Sequence, residues 1–329
     1  MHRHFWLIIA SGLLVAGTIL CALRWKAWFV TPEEIKWEGD TINNVHFKTF
    51  GQEKVQQSLQ KKSLEWLLLG DIHSSLQKSD FDLLAQRHSD IDFWVQLGDW
   101  MERPYFYYEQ QLYHSIKKTS FESLPIIAIP GNHEYKKGIV KQLSANWTSI
   151  FPNPNNGPKR FLGRTYMVDF PTLRVIAIDT DGLRCMSDYT QVCFWLKSAL
   201  SNSKDKLTVV VMHHPIFSTA KGRQNPLLWL AFYGALREAD VVFSGHDHNY
   251  ARRTIEYKER FWTNQQPTLF IGTNASQKNY ANKSRNYYDC THSGTAVYEY
   301  MKVVNDALYI RTYELKSGKL VDEICITND

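Results

Sequence analysis

The feature that most limits how this chain can fold is a short apolar run, residues 126–129, which stops abruptly at a Pro-Gly pair. The run is too short for a helix and lies between helix-breaking residues, so it predicts a β-strand buried on both faces. Glycine at the exit allows a sharp turn and a close approach of the backbone to a ligand. The residues that follow are Asn132, His133 and Glu134. They are expected at the carboxyl edge of a sheet, where open α/β folds bind their ligands.

Four other apolar runs end in polar residues in the same way. Residues 64–69 precede Gly-Asp-Ile-His, 92–97 precede Gly-Asp, 207–212 precede His-His-Pro, and 240–244 precede Gly-His-Asp-His. Any one of these motifs is weak, because a histidine at a strand end is usually structural. Together they hold six of the twelve histidines, which is not a chance distribution. The polar side chains at these strand ends include Asp71, His73, Asp99, Asn132, His133, Glu134, His213, His214, His246 and His248.

The chemistry of these side chains indicates a metal site. Imidazole, carboxylate and amide ligands without a thiolate suit Zn, Mn or Fe rather than a structural cysteine site. The ligands exceed the needs of one ion, and a carboxylate such as Asp99 can bridge two. Two ions about 3.5–4 Å apart can generate a bridging hydroxide from water and hold both oxygens of an in-line displacement. Phosphate esters are the expected substrates, since charge develops on the oxygens that the ions bind.

The five motifs resemble those of the calcineurin-like metallophosphoesterases, over about 64–251 of the chain. Within that superfamily, the His-His-Pro motif, the segment 245–249 and the segment 191–197 are most similar to small purple acid phosphatases. The resemblance implies an α/β fold, namely an αββα sandwich of two mixed β-sheets flanked by helices.

The resemblance also implies a role for each motif residue. One metal would be held by Asp71, His73 and His248, and the other by Asn132, His213 and His246, with Asp99 bridging them. His133 would stabilise the transition state or protonate the leaving oxygen. Further candidates for supporting these groups or for contacting substrate are His214, Glu134 and Arg223.

Two positions depart from the purple acid phosphatase pattern. The tyrosine three residues after the bridging aspartate is replaced by Glu102, and the first motif has a histidine, His73, that those enzymes lack. We therefore expect a colourless enzyme of the Asp-x-His type, without a tyrosine-to-iron charge transfer.

The N-terminal part predicts a membrane anchor. The run 5–23 has no charged residue and is long enough to cross a bilayer of about 30 Å. Trp6, Trp25 and Trp28 suit the interfacial aromatic belts. The predicted organisation is an anchor at 1–30, a tether and domain edge at 31–63, and a catalytic domain at 64–329. Sequons at Asn146, Asn274 and Asn282 favour an exported or lumenal catalytic domain.

Charge and cysteine content exclude some classes. The formal net charge is +5, and no long basic block is present, so no nucleic-acid partner is expected. None of the five cysteines has Cys-x-x-Cys spacing, and either a pairing of Cys185 with Cys193 or free thiols would fit.

The sequence thus predicts a single-pass, binuclear metal-dependent phosphoesterase. Acid phosphatase-like monoester hydrolysis is favoured, and a phosphodiesterase on nucleotide or lipid-linked phosphates is the alternative within the enzymes. A non-catalytic metal-binding module is the alternative of another class. The oligomeric state is not predicted.

Secondary structure between and beyond the motifs is predicted from periodicity. Helices are expected at 79–87, 190–201 and 227–238, and another at 137–150. Strand-like segments at 268–271, 295–303 and 307–314 are expected to complete a second sheet.

Overall fold

The computed structural model describes residues 47–104, 111, 113–136, 141–144, 147–203, 205–220, 222–256, 267–282 and 287–327 of the chain. The predicted anchor at 1–30 and residues 31–46 of the predicted tether lie outside these ranges. Within them, no helix combines the length and the apolar character needed to cross a bilayer.

The first sheet is mixed and has six strands in the order β15-β14-β13-β1-β2-β3. Strands β1, β2 and β3 run parallel to one another, whereas β1 pairs antiparallel with β13 and the hairpins β13-β14 and β14-β15 complete the sheet. The strands are β1 (Leu64–Leu69), β2 (Phe93–Gln96), β3 (Ile126–Ala128), β13 (Val297–Val304), β14 (Ala307–Glu314) and β15 (Leu320–Thr327).

The second sheet has seven strands in the order β12-β10-β11-β9-β8-β7-β6. Its centre, β7-β8-β9-β11, is parallel, and antiparallel strands lie on both sides. The strands are β6 (Tyr166–Asp169), β7 (Leu173–Ile178), β8 (Leu207–Met212), β9 (Val241–Ser244), β10 (Tyr250–Ile255), β11 (Thr268–Gly272) and β12 (Cys290–His292). A separate short hairpin pairs β4 (Tyr135–Lys136) with β5 (Gln142–Leu143).

Five α-helices are defined in the described part. They are α1 (Glu53–Ser58), α2 (Lys78–Arg87), α3 (Trp147–Ile150), α4 (Met186–Ser201) and α5 (Pro226–Leu236). Cys185 precedes α4, and Asp188 accepts hydrogen bonds from the backbone N–H groups of Arg184 and Cys185. This cap explains why α4 begins four residues before the predicted start.

Alternation along the strands assembles these elements into four layers. In β1, Trp66 and Leu68 belong to the apolar cluster between the sheets, whereas Leu67 and Leu69 pack on the outside with Phe81 of α2. The outer face of the second sheet packs against α4 and α5 in a third cluster. Both faces of the central strands are therefore covered, which is why their sequences are apolar runs without polar alternation. The predicted α/β sandwich of two mixed sheets with outer helices is confirmed.

Three expectations need correction. The helix expected at 137–150 is wrong, because 142–143 form a strand of the short hairpin and helix begins only at Trp147. Strands β13 and β14 join the first sheet beside β1 rather than the second. The sequon at Asn274 is buried, and its amide donates to the carbonyls of Ser276 and Lys278, so the folded chain does not present it to solvent.

Candidate metal centre

The parallel strands of both sheets deliver the polar motifs to one edge of the sandwich. Asp71 and His73 follow β1, Asp99 follows β2, and His213 follows β8. The motifs after β3 and β9 meet them there. The carboxyl ends of parallel strands share an edge, so motifs far apart in the chain converge.

The first group of side chains is Asp71, His73, Asp99 and His248, whose potential ligand atoms all lie within 4.8 Å of one another. The Nε2 atoms of His73 and His248 are 3.3 Å apart. The Oδ2 atom of Asp99 is 3.6 Å from Nε2 of His73, and Oδ1 of Asp71 is 3.9 Å from Nε2 of His248. All four residues are buried. This is a compact N/O donor set.

The second group lies on the other side of Asp99 and consists of Asp99, Asn132, His213 and His246. Nε2 of His213 is 3.3 Å from Oδ1 of Asp99, 3.2 Å from Oδ1 of Asn132 and 3.3 Å from Nδ1 of His246. The two oxygens of Asp99 thus face different groups. This is the arrangement that a bridging carboxylate requires.

Backbone carbonyls set the orientation of three rings. Nδ1 of His213 donates to the carbonyl of Leu97 at 2.9 Å, and Nδ1 of His248 donates to the carbonyl of Lys278 at 3.2 Å. Nδ1 of His133 donates to the carbonyl of Glu102 at 2.6 Å. Each bond fixes the tautomer, so that Nε2 is the free nitrogen directed into the site.

Burial keeps three of the four candidate ligand imidazoles neutral. It lowers the pKa of His73 and of His248 to about 3, and it also lowers the pKa of His246. For His213, burial acts in the same direction, but the charge and hydrogen bond of Asp99 outweigh it and raise the pKa to about 10. Neutral imidazoles offer a nitrogen lone pair at neutral pH, as metal binding requires.

The carboxylates give an independent test of whether ions fit here. Burial raises the pKa of Asp71 well above its usual range, and Oδ1 of this residue is a buried oxygen without a hydrogen-bond partner. Burial also opposes ionisation of Asp99, yet His213 holds the pKa of Asp99 well below its usual range. A buried, unpaired carboxylate oxygen among neutral imidazoles is costly without a cation. The residues therefore fit metal ions.

Glu134 connects the two loops that follow β2 and β3 through hydrogen bonds to their backbone. Its carboxylate accepts from the backbone N–H groups of Asp99, Gly131, Trp100 and Met101, at 2.6–3.1 Å. Burial raises the pKa of Glu134 to about 8, with the charge of Asp99 adding to the effect. This residue contacts the loops that carry ligands and is not itself in either group.

The remaining predicted residues lie around the centre. His133 has 22% of its side chain exposed, and its Nε2 is 3.9 Å from Oδ2 of Asp99. His214 lies beside the second group, with a ring nitrogen within 4.8 Å of those of His213 and His246, and its Nδ1 is 2.9 Å from Oγ1 of Thr180. Arg223 donates to the carbonyl of His246, and its guanidinium lies 4.8 Å from the ring centroid of Tyr280.

Two residues near the centre were not assigned a site role from sequence. Glu102, noted only as a departure from a family pattern, places Oε2 3.3 Å from Nδ1 of His73. Lys278 has an exposed side chain, and its charge contributes, after burial and other groups, to the low pKa of His73 and His248. Lys278 lies beyond β11 in a segment without a motif, so no sequence signal indicates it.

This fold and donor set define a class of protein, the four-layer α/β proteins whose carboxylate and imidazole side chains gather at one sheet edge in groups able to hold metal ions. The particular family follows from the sequence: the pattern described as calcineurin-like phosphoesterase matches residues 66–250, more than half of the chain. The chain belongs to that family.

One curated relative and several solved structures are similar. Glycerophosphodiester phosphodiesterase GpdQ from Enterobacter lignolyticus is 27% identical over 135 residues, 38% of this chain. The chain thus spans under half, 45%, of that relative. Purple acid phosphatase PPD1 from yellow lupin has a TM-score of 0.58 at 15% identity, covering 82% of this chain and 54% of that one. GAP50 of Plasmodium, an anchor in the inner membrane complex, has a TM-score of 0.56 at 18% identity, covering 81% and 89%. At these identities the structures show the shared fold.

Proposed function

We propose that this chain hydrolyses phosphate esters at a centre of two metal ions. The observation that carries the proposal is the position of Asp99, with Oδ1 3.3 Å from His213 and Oδ2 3.6 Å from His73. Asp71, His73 and His248 would hold one ion, and Asn132, His213 and His246 the other. Zn, Mn and Fe all suit these ligands. When bound, the ions would supply Lewis acidity toward the phosphoryl oxygens and lower the pKa of water.

His133 is the proposed general acid. Its Nδ1 proton is engaged by the carbonyl of Glu102, so Nε2 is the nitrogen available to a leaving oxygen. Its ring is more exposed than those of His73, His213 and His248, as a group that meets substrate must be.

Arg223 and Lys278 are the proposed binding groups for the anionic phosphate. The positive charges of Lys278 and Arg223 both lower the pKa of His248, as is expected of cations near the centre. A phosphomonoester carries up to two negative charges and a diester one, so two cations beyond the metal ions favour the monoester. Monoester hydrolysis is accordingly the first candidate.

Diester hydrolysis is the second candidate, and the similarity to a glycerophosphodiester phosphodiesterase favours it. Initial rates on nitrophenyl phosphate and on bis-nitrophenyl phosphate, with Zn, Mn or Fe added to the purified full chain, would separate the two. A higher kcat/KM on the monoester supports the first candidate, and the reverse result supports the second.

The role of Asp99 gives the test of the centre itself. We expect Asp99→Asn to abolish turnover and to reduce metal content, because the amide leaves one oxygen to serve two ions. Asp82→Asn is the matched control, since Asp82 pairs with Lys78 on the outer helix α2. A wild-type protein that binds two ions and hydrolyses neither ester would contradict the enzymatic proposal and favour a metal-binding module.

A further inference from the structure

Exposed apolar side chains are concentrated on one face of the described structure. Of its eight most exposed large hydrophobic residues, six are on or beside α4 and α5, with 42–71% of each residue exposed. We name them the apolar rim: Met186, Phe194, Leu227, Trp229, Leu230 and Tyr287. Apolar residues clustered in this way mark an interaction surface, whereas scattered ones do not.

Helix α5 carries most of this surface. Its eleven residues, Pro-Leu-Leu-Trp-Leu-Ala-Phe-Tyr-Gly-Ala-Leu, include no charged residue. The helix packs one side on the second sheet through Leu228 and Phe232, which are buried, while Leu227 and Leu230 face outward. A helix that is apolar all round is normally covered on every side, so its outer face is suited to a partner.

The helices that carry the rim are connected to strands whose ends form the edge with the metal centre. Helix α5 follows β8, whose last residue precedes His213, and α4 follows β7, the strand parallel to β8. Both helices therefore begin at the edge of the sheet where the ligands converge. Asn225, which caps α5 through the N–H of Leu228, lies two residues after Arg223, whose guanidinium contacts the carbonyl of His246.

Two concave features lie along the rim. A groove of about 250 Å³ between α4 and α5 is lined by Met186, Phe194, Leu227 and Leu230, and Lys197 is the one charged residue in the described part of the chain that lines it. A pocket of about 490 Å³ at the start of α5 is lined by four aromatic residues together with Ile216, Pro226 and three polar residues. The aromatic residues are Phe217, Trp229, Tyr287 and Tyr288. Among the described residues, no acidic side chain lines either feature.

This chemistry matches a lipid surface. Surfaces that lie in the headgroup region of a bilayer combine Leu, Phe and Met with Trp, Tyr and Lys. The lining of the two features has this composition and contains no acid among its described residues. The same chain carries the uncharged run 5–23, and only 23 residues separate it from Phe47, the first described residue. A chain held at a bilayer by that run keeps its domain within reach of lipid.

We propose that the apolar rim docks onto a lipid bilayer and that the centre hydrolyses phosphoesters of lipid alcohols at that interface. This rests on the proposed phosphoesterase function. In the reaction, water adds its oxygen to phosphorus, the bond from phosphorus to the lipid oxygen breaks, and that oxygen takes a proton. The products are phosphate and the free alcohol, whose apolar part the aromatic pocket accommodates.

The test uses the full chain in phosphatidylcholine nanodiscs that contain phosphatidic acid, and nitrophenyl phosphate as the soluble ester. We expect the double variant Phe194→Ser/Leu230→Ser to lose about tenfold or more in phosphatidic acid hydrolysis. Its rate on nitrophenyl phosphate should stay within about twofold, since neither side chain contacts the ligand groups. Leu320→Ser on β15, equally an exposed leucine, should change neither rate. Equal losses on both esters, or none, would overturn the docking.

A second measurement tests whether the apolar rim contacts lipid, and it depends neither on turnover nor on the N-terminal run. Nanodiscs made with a photoactivatable acyl chain should cross-link to peptides covering α4 and α5, and not to those covering β15. Absence of lipid cross-links at α4 and α5, or their replacement by cross-links between two copies of the chain, would overturn the proposal. Cross-linking at the rim without hydrolysis of either ester would support docking while refuting the proposed function.

Discussion

Single residues at the centre are held in unusual backbone conformations. Asp71, His73, Asp99, His246 and His248 all have φ between 38° and 71°, the left-handed region that non-glycine residues rarely adopt. Such conformations cost of order 1–3 kcal/mol each and persist only where the surrounding structure imposes them. The glycines of the motifs have a complementary role, because a Cβ on Gly131 would overlap Asp99, and one on Gly245 would overlap Asp71.

The role of His133 can be separated from metal binding. We expect His133→Ala to lower kcat by about 10²–10⁴-fold, the usual contribution of a general acid, with metal content nearly unchanged. Turnover and metal analysis on the same preparation check this. His292→Ala is the control, since His292 contacts Thr295 away from the centre. Wild-type turnover in the His133 variant would remove this residue from the mechanism.

At the level of elements, the sequence predicts where the strands end but not how the loops after them fold. Asp71, Asp99 and His213 follow apolar runs with an abrupt stop, and such runs are readable as buried strands. The contacts of Glu102 and Glu134 depend on how two loops fold over each other, and no local pattern encodes that. The helix predicted at 137–150 is wrong because residues 142–143 pair with 135–136 in a local hairpin, which the spacing of apolar residues in this segment does not indicate.

Glu134 joins the loops after β2 and β3, and its substitution tests how far the centre depends on them. Glu134→Gln replaces one oxygen by an NH₂ group that faces backbone donors. We expect metal affinity to fall about 10–100-fold, as for other groups that orient ligands. Titration of the metal-free protein with Zn measures the change. Glu122→Gln is the control, since Glu122 accepts from the backbone of Lys118 in an exposed turn. Equal affinities in the variant and the wild type would show that the loops hold without this carboxylate.

At the scale of the domain, the sequence predicts four layers from apolar runs that alternate with helical segments, but it does not predict which sheet each strand joins. Strands β13 and β14 have the alternation of an exposed hairpin, which fits either sheet. Their place beside β1 is decided by long-range pairing, such as Leu68 with Glu299. That pairing puts an acid inside the sandwich. Glu299 shares a strand face with Val297 and Met301 of the apolar cluster between the sheets, and it is fully buried.

Glu299 predicts how stability depends on pH. Burial raises its pKa to about 8, against 4.5 for an exposed glutamate. Between these values the unfolded chain has released the proton and the folded chain keeps it, so rising pH favours unfolding by up to about 1.4 kcal/mol per unit. The loss begins near pH 4.5 and levels off above about pH 8. Glu299→Gln removes this titration while keeping the size of the side chain.

We therefore expect the Tm of Glu299→Gln, relative to wild type, to rise steadily between pH 5 and 8, measured by circular dichroism with EDTA present. The chelator removes the pH dependence of metal binding, and the difference between the two proteins cancels the other titrating groups. Glu323→Gln is the control, because Glu323 is exposed on β15 and pairs with Arg311. Parallel Tm curves for wild type and Glu299→Gln would show that Glu299 is already ionised in the folded state, with a cation or water compensating its charge between the sheets.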